Sequence, residues 1–473
     1  MALDSLHPRL PAPKLYPLFD GPFRKLFLRP WMDALALRLG VSVAFPAMRE
    51  AGRIVERENP GREGQWDRLL ELYREQERAL MDWETVFFPE DSQLTHSTLY
   101  DAGSLSQGYE ERLQAELRRQ KSSRDHVAFI IRNGFRLSRG VPLMDWDIPT
   151  PEETLRFLTE NPVVSSTGCF GGEGQAALPD AKLSAPVLNT IGQERWMQMP
   201  SRRGGTQWIR IFEPEGQGNI PLPTILYLQG LCVEQDQGED RRDPFVELSG
   251  QGYRILRVQQ PGHGFRKPLT HFAGQQVVER GPMGFALSLW RWVEELSDLF
   301  LWLRHHGVSQ IGFAGISLGA MAAQLYVAMA SQWPRSLSPD ALLLMTTTGR
   351  VVEAATRGSL ARELGVFTEM ERVGWTSETC QTLSPCLDPC AVLQGVGKRN
   401  YGDLHLSSDQ MVFLLGQEDR LTSFDGGLEF AEDWRIPGEN RFFAPRRGHL
   451  TAVFQLLRHP EPIDRFLHCL DRA

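Results

Sequence analysis

One serine lies in a setting that suits nucleophilic chemistry. Residues 315–319 read Gly-Ile-Ser-Leu-Gly, between a predicted strand that ends at Ala314 and a predicted helix that begins at Leu318. A serine on such a sharp strand-to-helix turn needs a strained backbone, and glycine on both sides lets neighbouring elements approach closely. We therefore interpret Ser317 as a nucleophile; the alternative is a serine that only caps the helix.

A serine hydroxyl attacks efficiently only when a positioned imidazole removes its proton. Of the eleven histidines, His449 follows the last predicted strand, which is where the base lies when the partners follow in the order serine, acid, histidine. His263 precedes the serine and is interpreted as a loop-shaping residue, while His305 and His306 end a helix. His449 is the predicted base, and a surface histidine is the alternative.

A carboxylate that orients this base is expected after the penultimate strand, because that loop leaves the sheet at the same edge. Residues 416–420 read Gly-Gln-Glu-Asp-Arg in that loop. Asp419 is the predicted acid, Glu418 is the alternative and Asp425 a weaker one. Acids are also common in solvated loops, which is the competing interpretation.

The negative oxygen that forms in acyl transfer needs two fixed N–H donors. One is expected from Leu318, the residue after the nucleophile. The second is expected from Leu231 or Gly230, which follow the predicted strand 224–228.

These residues have to be positioned by a sheet. Short apolar segments alternate with helical ones from about residue 205 onward, which predicts an α/β fold with a mostly parallel sheet and helices on both faces. The predicted strands are 207–213, 224–228, 254–258, 310–314, 341–345, 411–415 and 441–444, and the predicted helices include 284–306 and 318–331.

The first part of the chain has helical rather than strand periodicity. Apolar residues recur at helical spacing over 65–83 and again over 109–119, and a glycine-rich segment follows at 165–181. We predict a helical N-terminal extension over 1–180 and a second domain over 181–473, with a lid-like insertion at about 350–400.

Composition excludes several classes of protein. The 473 residues are 41% hydrophobic and carry a net charge of −8, so no global positive field exists to hold a nucleic acid. Six cysteines are too few for a disulfide scaffold, and the spacing of Cys380, Cys386 and Cys390 matches no usual zinc motif. No run of about 18 uninterrupted apolar residues and no secretory signal is recognised, so we expect an intracellular, cytoplasmic protein.

The second half resembles the α/β-hydrolase superfamily, and more closely the family of α/β-hydrolase domain-containing protein 18. The resemblance rests on 25–31 (Lys-Leu-Phe-Leu-Arg-Pro-Trp), 261–268, 315–319, 346–349 (Thr-Thr-Thr-Gly), 416–420 and 448–450 (Gly-His-Leu). It implies an α/β-hydrolase fold for 181–473 and a Ser-Asp-His hydrolase that needs no cofactor. It names no substrate.

Local residues give hints about a substrate. Arg266 and Lys267, with Arg241 and Arg242, would place cations near the catalytic edge to receive an anionic head group, unless they form a solvated rim. A lid with apolar residues such as Val366 would suit an acyl chain. The stretch 23–31 either rests on a membrane surface or packs against the core.

Two functions of different classes follow. The first is a serine hydrolase that cleaves an acyl ester, with a lipid ester as one candidate substrate and with thioesterase and acyltransferase activity left open. The second is a catalytically silent scaffold that binds a partner through its N-terminal region.

Overall fold

The protein is described by a computed structural model over residues 29–57, 66–89, 108–161, 180–216, 221–233, 243–395 and 404–472. The predictions that concern 23–28, 165–179, Arg241 and Arg242 lie outside these ranges.

In the described residues, ten strands form one sheet. The strands are β1 (Lys182–Leu183), β2 (Val187–Leu188), β3 (Gln193–Pro200), β4 (Thr206–Glu213), β5 (Thr224–Leu228), β6 (Arg254–Val258), β7 (Ile311–Ile316), β8 (Ala341–Met345), β9 (Met411–Gly416) and β10 (Arg441–Ala444). Their order is β1-β3-β4-β6-β5-β7-β8-β9-β10, with β2 paired to β3. The pairs that involve β1 to β4 are antiparallel, and those among β5 to β10 are parallel.

The α-helices are α1 (Pro30–Glu56), α2 (Asp67–Phe87), α3 (Tyr109–Arg132), α4 (Gly134–Leu137), α5 (Pro151–Glu160), α6 (Pro244–Glu247), α7 (Gln275–Val278), α8 (Gly281–His305) and α9 (Leu318–Ala330). They continue with α10 (Val351–Arg357), α11 (Ser359–Leu364), α12 (Val366–Arg372), α13 (Ser377–Gln381), α14 (Ser384–Leu387), α15 (Pro389–Gly395), α16 (Phe424–Asp433), α17 (His449–Val453) and α18 (Glu461–Asp471).

Helices cover both faces of the sheet. Alternate residues of the parallel strands, such as Leu226 and Phe313, join one apolar core with α8 and α9. The residues between them, such as Ile225 and Leu343, join a second core with α6 and α18. Strands buried on both faces need apolar side chains at successive positions, which is why these segments read as continuous apolar runs. The predicted fold class, an α/β fold with a mostly parallel sheet and helices on both faces, is confirmed.

The N-terminal helices α2 and α3 pack against the antiparallel part of the sheet. Trp83 of α2 meets Trp196 of β3 and Trp208 of β4, with ring centroids 5.3 and 5.8 Å apart. The guanidinium of Arg119 on α3 lies 5.2 Å from the ring centre of Trp83 and 5.2 Å from that of Trp196. Such cation–π contacts are strong when desolvated, and Arg119 is buried with its partner Glu116.

Helix α1 runs along the carboxyl edge of the sheet. A π-helical turn, Gly40–Ala44, interrupts it two residues before Pro46. Proline lacks an N–H and clashes with the carbonyl four residues earlier, and a wider turn relieves that clash. Over an 18-residue window α1 has a mean hydropathy of 1.2 with 22% of the window buried, so by length and composition alone it could cross a membrane. Core helices and N-terminal signal sequences pass the same test.

The segment between β8 and β9 consists of the short helices α10 to α15, and the end of the predicted lid, 396–400, lies outside the described residues. Val366 and Trp375 are buried. The indole N–H of Trp375 donates to the Pro149 carbonyl at 2.8 Å, and that of Trp290 on α8 donates to the Cys386 carbonyl at 3.1 Å. The segment is thus attached to the rest of the protein by buried apolar side chains and by these two indole hydrogen bonds.

Candidate active site

Ser317 lies on a sharp turn between β7 and α9. Its φ of 53° and ψ of −116° are strained for a residue with a side chain, and its side chain makes no capping hydrogen bond to α9. A Cβ at Gly315 would lie 2.6 Å from the Cα of Ala320, and one at Gly319 would lie 2.2 Å from the Leu228 carbonyl oxygen. Both glycines are therefore required by close backbone contacts. The helix-capping alternative does not describe this serine.

His449 and Asp419 form a buried pair. Helix α17 begins at His449, whose Nδ1 donates to Asp419 Oδ2 at 2.8 Å. Thr422 donates its hydroxyl to the same oxygen at 2.9 Å, and the amides of Leu421 and Thr422 donate to Oδ1 at 2.9 and 3.2 Å. Because an ionised carboxylate can only accept, Nδ1 carries the proton and Nε2 is left as the basic nitrogen.

The alternative acids do not share this position. Glu418 and Asp425 are exposed, whereas the side chain of Asp419 is fully buried. Among the described residues, Asp419 is the carboxylate that hydrogen-bonds the His449 ring. The structure therefore brings the first-choice acid and the predicted base together.

The pair shifts the pKa of both partners. Burial alone would raise the pKa of Asp419, but the charge of His449 and the hydrogen bonds from His449 and Thr422 outweigh it and hold that pKa below its usual value. Burial alone would lower the pKa of His449, but the charge and hydrogen bond of Asp419, with the charge of Asp33, raise it above its usual value. The imidazolium that forms when the base takes a proton is thus stabilised.

Ser317 and the pair lie at the same edge of the sheet. β7 ends at the serine, and β8 and β9 separate it from β10, after which His449 follows. In the described part of the chain, the Ser317 hydroxyl makes no hydrogen bond, either to His449 or to another group. Catalytic hydrogen bonds are often long without substrate and tighten when it binds.

The loop after β5 lies directly beside the serine. A Cβ at Gly230 would lie 3.3 Å from the Ser317 Cβ. Gln260 donates its side-chain amide to the Gly230 carbonyl at 2.7 Å, and His263 Nε2 accepts the Cys232 amide at 3.1 Å. The two hydrogen bonds fix the loop at the Gly230 carbonyl and at the Cys232 amide.

His263 acts on this loop through one tautomer. Its Nδ1 donates to the Pro261 carbonyl at 2.9 Å, so its Nε2 is free to accept from Cys232. Burial, with smaller effects of the Lys267 and Arg266 charges, lowers the pKa of His263 to about 3. A neutral, buried imidazole that fixes the loop confirms its interpretation as a loop-shaping residue.

The two predicted oxyanion donors, Leu318 and Leu231, lie in the turn at the serine and in the loop after β5. Leu318 is the first residue of α9, and Leu231 follows Gly230 in the loop beside the serine. Neither amide has a hydrogen-bond partner among the described residues. Two unpaired amides beside a strained serine are what an oxyanion site needs, and their role stays a prediction.

Strained backbone is concentrated at this edge. Among the described residues, six non-glycine residues have positive φ, and five of them lie in loops that follow parallel strands: Cys232 (64°), Ser317 (53°), Thr346 (44°), Ser423 (69°) and Arg446 (57°). The sixth, Arg435 (52°), lies between α16 and β10. Such strain costs free energy and persists where the surrounding structure imposes it, which is common at functional sites.

A cavity of about 790 Å³ opens onto the acid–base pair. Asp419 and His449 line it, and Ser317 does not. Its apolar wall comes from the first turns of α1, and its charged wall from α10, α11 and the acid loop; the lining includes Trp31, Ala34, Leu37, Arg357, Arg362 and Arg420. The volume is in the range of pockets that hold small organic ligands.

Arg266 is placed differently from the prediction. It is buried, and its terminal nitrogens donate to the Gln259 carbonyl at 2.8 Å and to both oxygens of Glu295 at 2.8 and 2.5 Å. Its donors are committed to the scaffold, which corrects the expectation that it meets an anionic head group. Lys267 is half-buried, and its charge helps to lower the pKa of both His126 and His263 after burial, the larger cause.

No group of three or more His, Cys, Asp or Glu side chains that could hold a metal ion occurs within the described ranges. Cys380 and Cys386 are free thiols whose pKa is raised by burial.

Sequence reasoning missed two contributors to the site. Thr422 orders Asp419, and Asp33 reaches the helix that begins at His449. For Asp33 a signal exists, because it is the one acid in Pro30–Leu39, an otherwise apolar first helical stretch with a single arginine. A charge kept in such a stretch is usually paired.

The chain was compared with family models, with curated protein sequences and with solved structures. No family model and no curated protein sequence matches the chain. Among solved structures, an acetyl xylan esterase from Paenibacillus sp. R4 matches with 13% identity over 68% of this chain and 93% of that one, with a TM-score of 0.44. A cold-adapted esterase from an Arctic intertidal metagenomic library matches with 15% identity over 60% and 96%, with a TM-score of 0.38. A hyperthermophilic esterase from Pyrobaculum calidifontis matches with 17% identity over 59% and 84%, with a TM-score of 0.37.

Proposed function

We propose that this protein is a serine hydrolase that cleaves an acyl ester, and that it belongs to the family of α/β-hydrolase domain-containing protein 18, which its motifs resemble. The observation that carries the proposal is the buried Asp419–His449 pair, with Nδ1 protonated, at the sheet edge that also holds the strained Ser317 turn. A carboxylate, an oriented imidazole and a strained serine on loops that follow three strands form the arrangement that acyl transfer requires.

In the proposed mechanism, His449 Nε2 takes the proton of the Ser317 hydroxyl as the oxygen attacks the ester carbonyl. The negative oxygen of the tetrahedral intermediate accepts hydrogen bonds from the Leu318 and Leu231 amides. Collapse breaks the bond to the alkoxy group, which leaves as an alcohol with the proton from His449. Water then attacks the acyl carbon as it gives a proton to the same nitrogen. The bond between the acyl carbon and Ser317 Oγ breaks, the proton passes from His449 to Oγ, and the acid leaves.

The cavity supports an acyl chain as the part of the substrate that is recognised. Trp31, Ala34 and Leu37 form an apolar strip in a cavity that His449 also lines, and the rest of the lining is mostly charged or polar. Burying each methylene of a chain against such a strip stabilises the complex by about 0.8 kcal/mol. A lipid acyl ester is therefore the proposed substrate class, and a peripheral membrane contact and an intracellular location belong to the same proposal.

Hydrolysis of p-nitrophenyl esters tests both parts. We expect Ser317→Ala to abolish turnover, and we expect kcat/KM of the wild type to rise from the acetate to the octanoate. Turnover that persists in the variant would refute the serine mechanism. A profile that is flat or falls with chain length would refute the acyl-chain site and leave the mechanism intact.

One observation favours the second candidate, a catalytically silent scaffold: Ser317 does not line the cavity that reaches His449. A fluorophosphonate probe separates the two, because it labels a serine that is both activated and reachable. Labelling that is lost in Ser317→Ala supports the enzyme, and a wild type that is never labelled supports the scaffold. Thioesters and acyl acceptors in the same assay distinguish thioesterase and acyltransferase activity.

A further inference from the structure

A carboxylate from the N-terminal helix reaches the helix that begins at the predicted base. Asp33 Oδ2 accepts a hydrogen bond from the Leu450 amide at 3.2 Å, and Oδ1 accepts one from the Thr451 amide at 3.2 Å. Amides in the first turn of a helix have no partner inside it. Asp33 satisfies two of them and places a negative charge where the helix dipole favours it.

The approach of Asp33 depends on the residue before the histidine. A Cβ at Gly448 would lie 2.2 Å from Asp33 Oδ2, so any other residue at that position would displace the carboxylate. The Gly448 amide donates to the Thr451 hydroxyl at 2.9 Å, which closes the turn. The turn that carries His449 is thus built around a side chain from a distant part of the chain.

The charges that face Asp33 couple it to the acid–base pair. Burial raises the pKa of Asp33 to about 6, while the charge of His449 and the Thr451 and Leu450 amides lower it and the charge of Asp419 raises it. Asp33 in turn helps to raise the pKa of His449. Further charged groups line the same cavity: Glu418 and Arg420 in the acid loop, and Arg362 and Glu363 on α11.

We propose that Asp33 is a positioning residue that holds the first turn of α17, and with it the His449 ring, in the orientation that serves Ser317. Resting on the proposed function, this assigns the N-terminal helix a part in building the catalytic edge. The carboxylate acts in two separable ways: its oxygens accept the two amides, and its charge stabilises the imidazolium.

Two substitutions separate these effects. Asp33→Asn keeps one oxygen acceptor, turns an NH₂ group toward the second amide and removes the charge, whereas Asp33→Ala removes both acceptors and the charge. We expect kcat on a p-nitrophenyl ester to fall about tenfold in the alanine variant and no more than about threefold in the asparagine variant, with a smaller change in KM than in kcat. A tenfold loss corresponds to about 1.4 kcal/mol, close to the net contribution of one hydrogen bond to a charged group. Leu35→Ala, an exposed position on the same helix outside the cavity, is the matched control and should behave as the wild type.

The histidine titration gives a second readout. Since the Asp33 charge raises the pKa of His449, we expect its removal in Asp33→Asn to move the acid limb of kcat/KM, and the NMR titration of the His449 ring, to lower pH. A wild-type kcat in Asp33→Ala with a loss of thermal stability alone, or an unchanged His449 titration in Asp33→Asn, would overturn the proposal. The NMR titration needs no turnover, so a protein without esterase activity would refute the proposed function while Asp33 is still tested.

Discussion

Replacing Asp419 by Asn isolates the orienting role of one carboxylate oxygen. In the wild type, Oδ1 accepts two amides from Leu421 and Thr422, and Oδ2 accepts His449 Nδ1 and the Thr422 hydroxyl. An asparagine can keep its oxygen on the two amides and then presents its NH₂ group to His449. Because that group donates, the imidazole must accept at Nδ1 and carry its proton on Nε2, where it cannot act as base.

The expected loss is therefore in the chemical step. The wrong tautomer in an otherwise intact triad lowers kcat about 10⁴-fold, which corresponds to about 5.4 kcal/mol of transition-state free energy. We expect KM for p-nitrophenyl butyrate to stay within about twofold, since the Asp419 side chain is fully buried and both of its oxygens are already hydrogen-bonded within the protein.

Asp425→Asn is the matched control, because Asp425 is an exposed acid six residues farther along and outside the cavity. Its kcat should equal that of the wild type. The reasoning fails if Asp419→Asn retains a tenth or more of wild-type kcat, or if the control is the variant that loses activity. Circular dichroism on both variants shows whether the fold is kept.

Three further outcomes are expected. The pKa of His449 is raised above its usual value of about 6.5, so the base becomes protonated at a pH above that value. We therefore expect kcat/KM to fall as the pH drops through the raised pKa. A pH profile whose acid limb lies below pH 6.5 or so contradicts the assignment. Gly319→Ala places a Cβ 2.2 Å from a carbonyl oxygen of β5. We expect this variant to lower the free energy of unfolding in urea by about 1 to 3 kcal/mol and to lose fluorophosphonate labelling. The control Gly438→Ala, at an open position, should change neither the stability nor the labelling. Arg266→Met breaks the buried pair with Glu295 and should lower the free energy of unfolding by about 3 kcal/mol at unchanged KM; normal stability with a raised KM would restore Arg266 to the substrate site.

The parallel half of the sheet and the loops that carry Ser317, Asp419 and His449 could be predicted from the sequence. β5, β6, β8 and β10 have the predicted bounds, and β4, β7 and β9 differ by one or two residues at one or both ends. The parallel strands β5 to β10 are short and alternate with helical segments, so the pattern is local. The order serine, acid, histidine then placed Asp419 and His449 on adjacent loops.

The antiparallel strand β3 escaped prediction because its buried residues include charges. Glu194 and Arg195 lie inside it and are paired with Arg210 and Glu213 across the sheet. A strand whose buried positions are filled by ion pairs lacks the apolar alternation that marks a half-buried strand. The helices α2 and α3 were located, but both run farther than predicted, to Phe87 and Arg132.

The contribution of Asp33 depends on contacts that no local pattern contains. It lies 417 residues from Leu450, and its partners are backbone amides, which every residue carries. The tautomer of His263 likewise follows from one carbonyl and one amide brought together by folding.

The most direct measurement of the central claim is the position of the covalent adduct after treatment with a fluorophosphonate. We expect intact-mass spectrometry to find one adduct and peptide mapping to place it on Ser317, with no adduct in Ser317→Ala and much slower formation in His449→Ala. An adduct on another serine, or the same rate of labelling without the imidazole, would contradict the account.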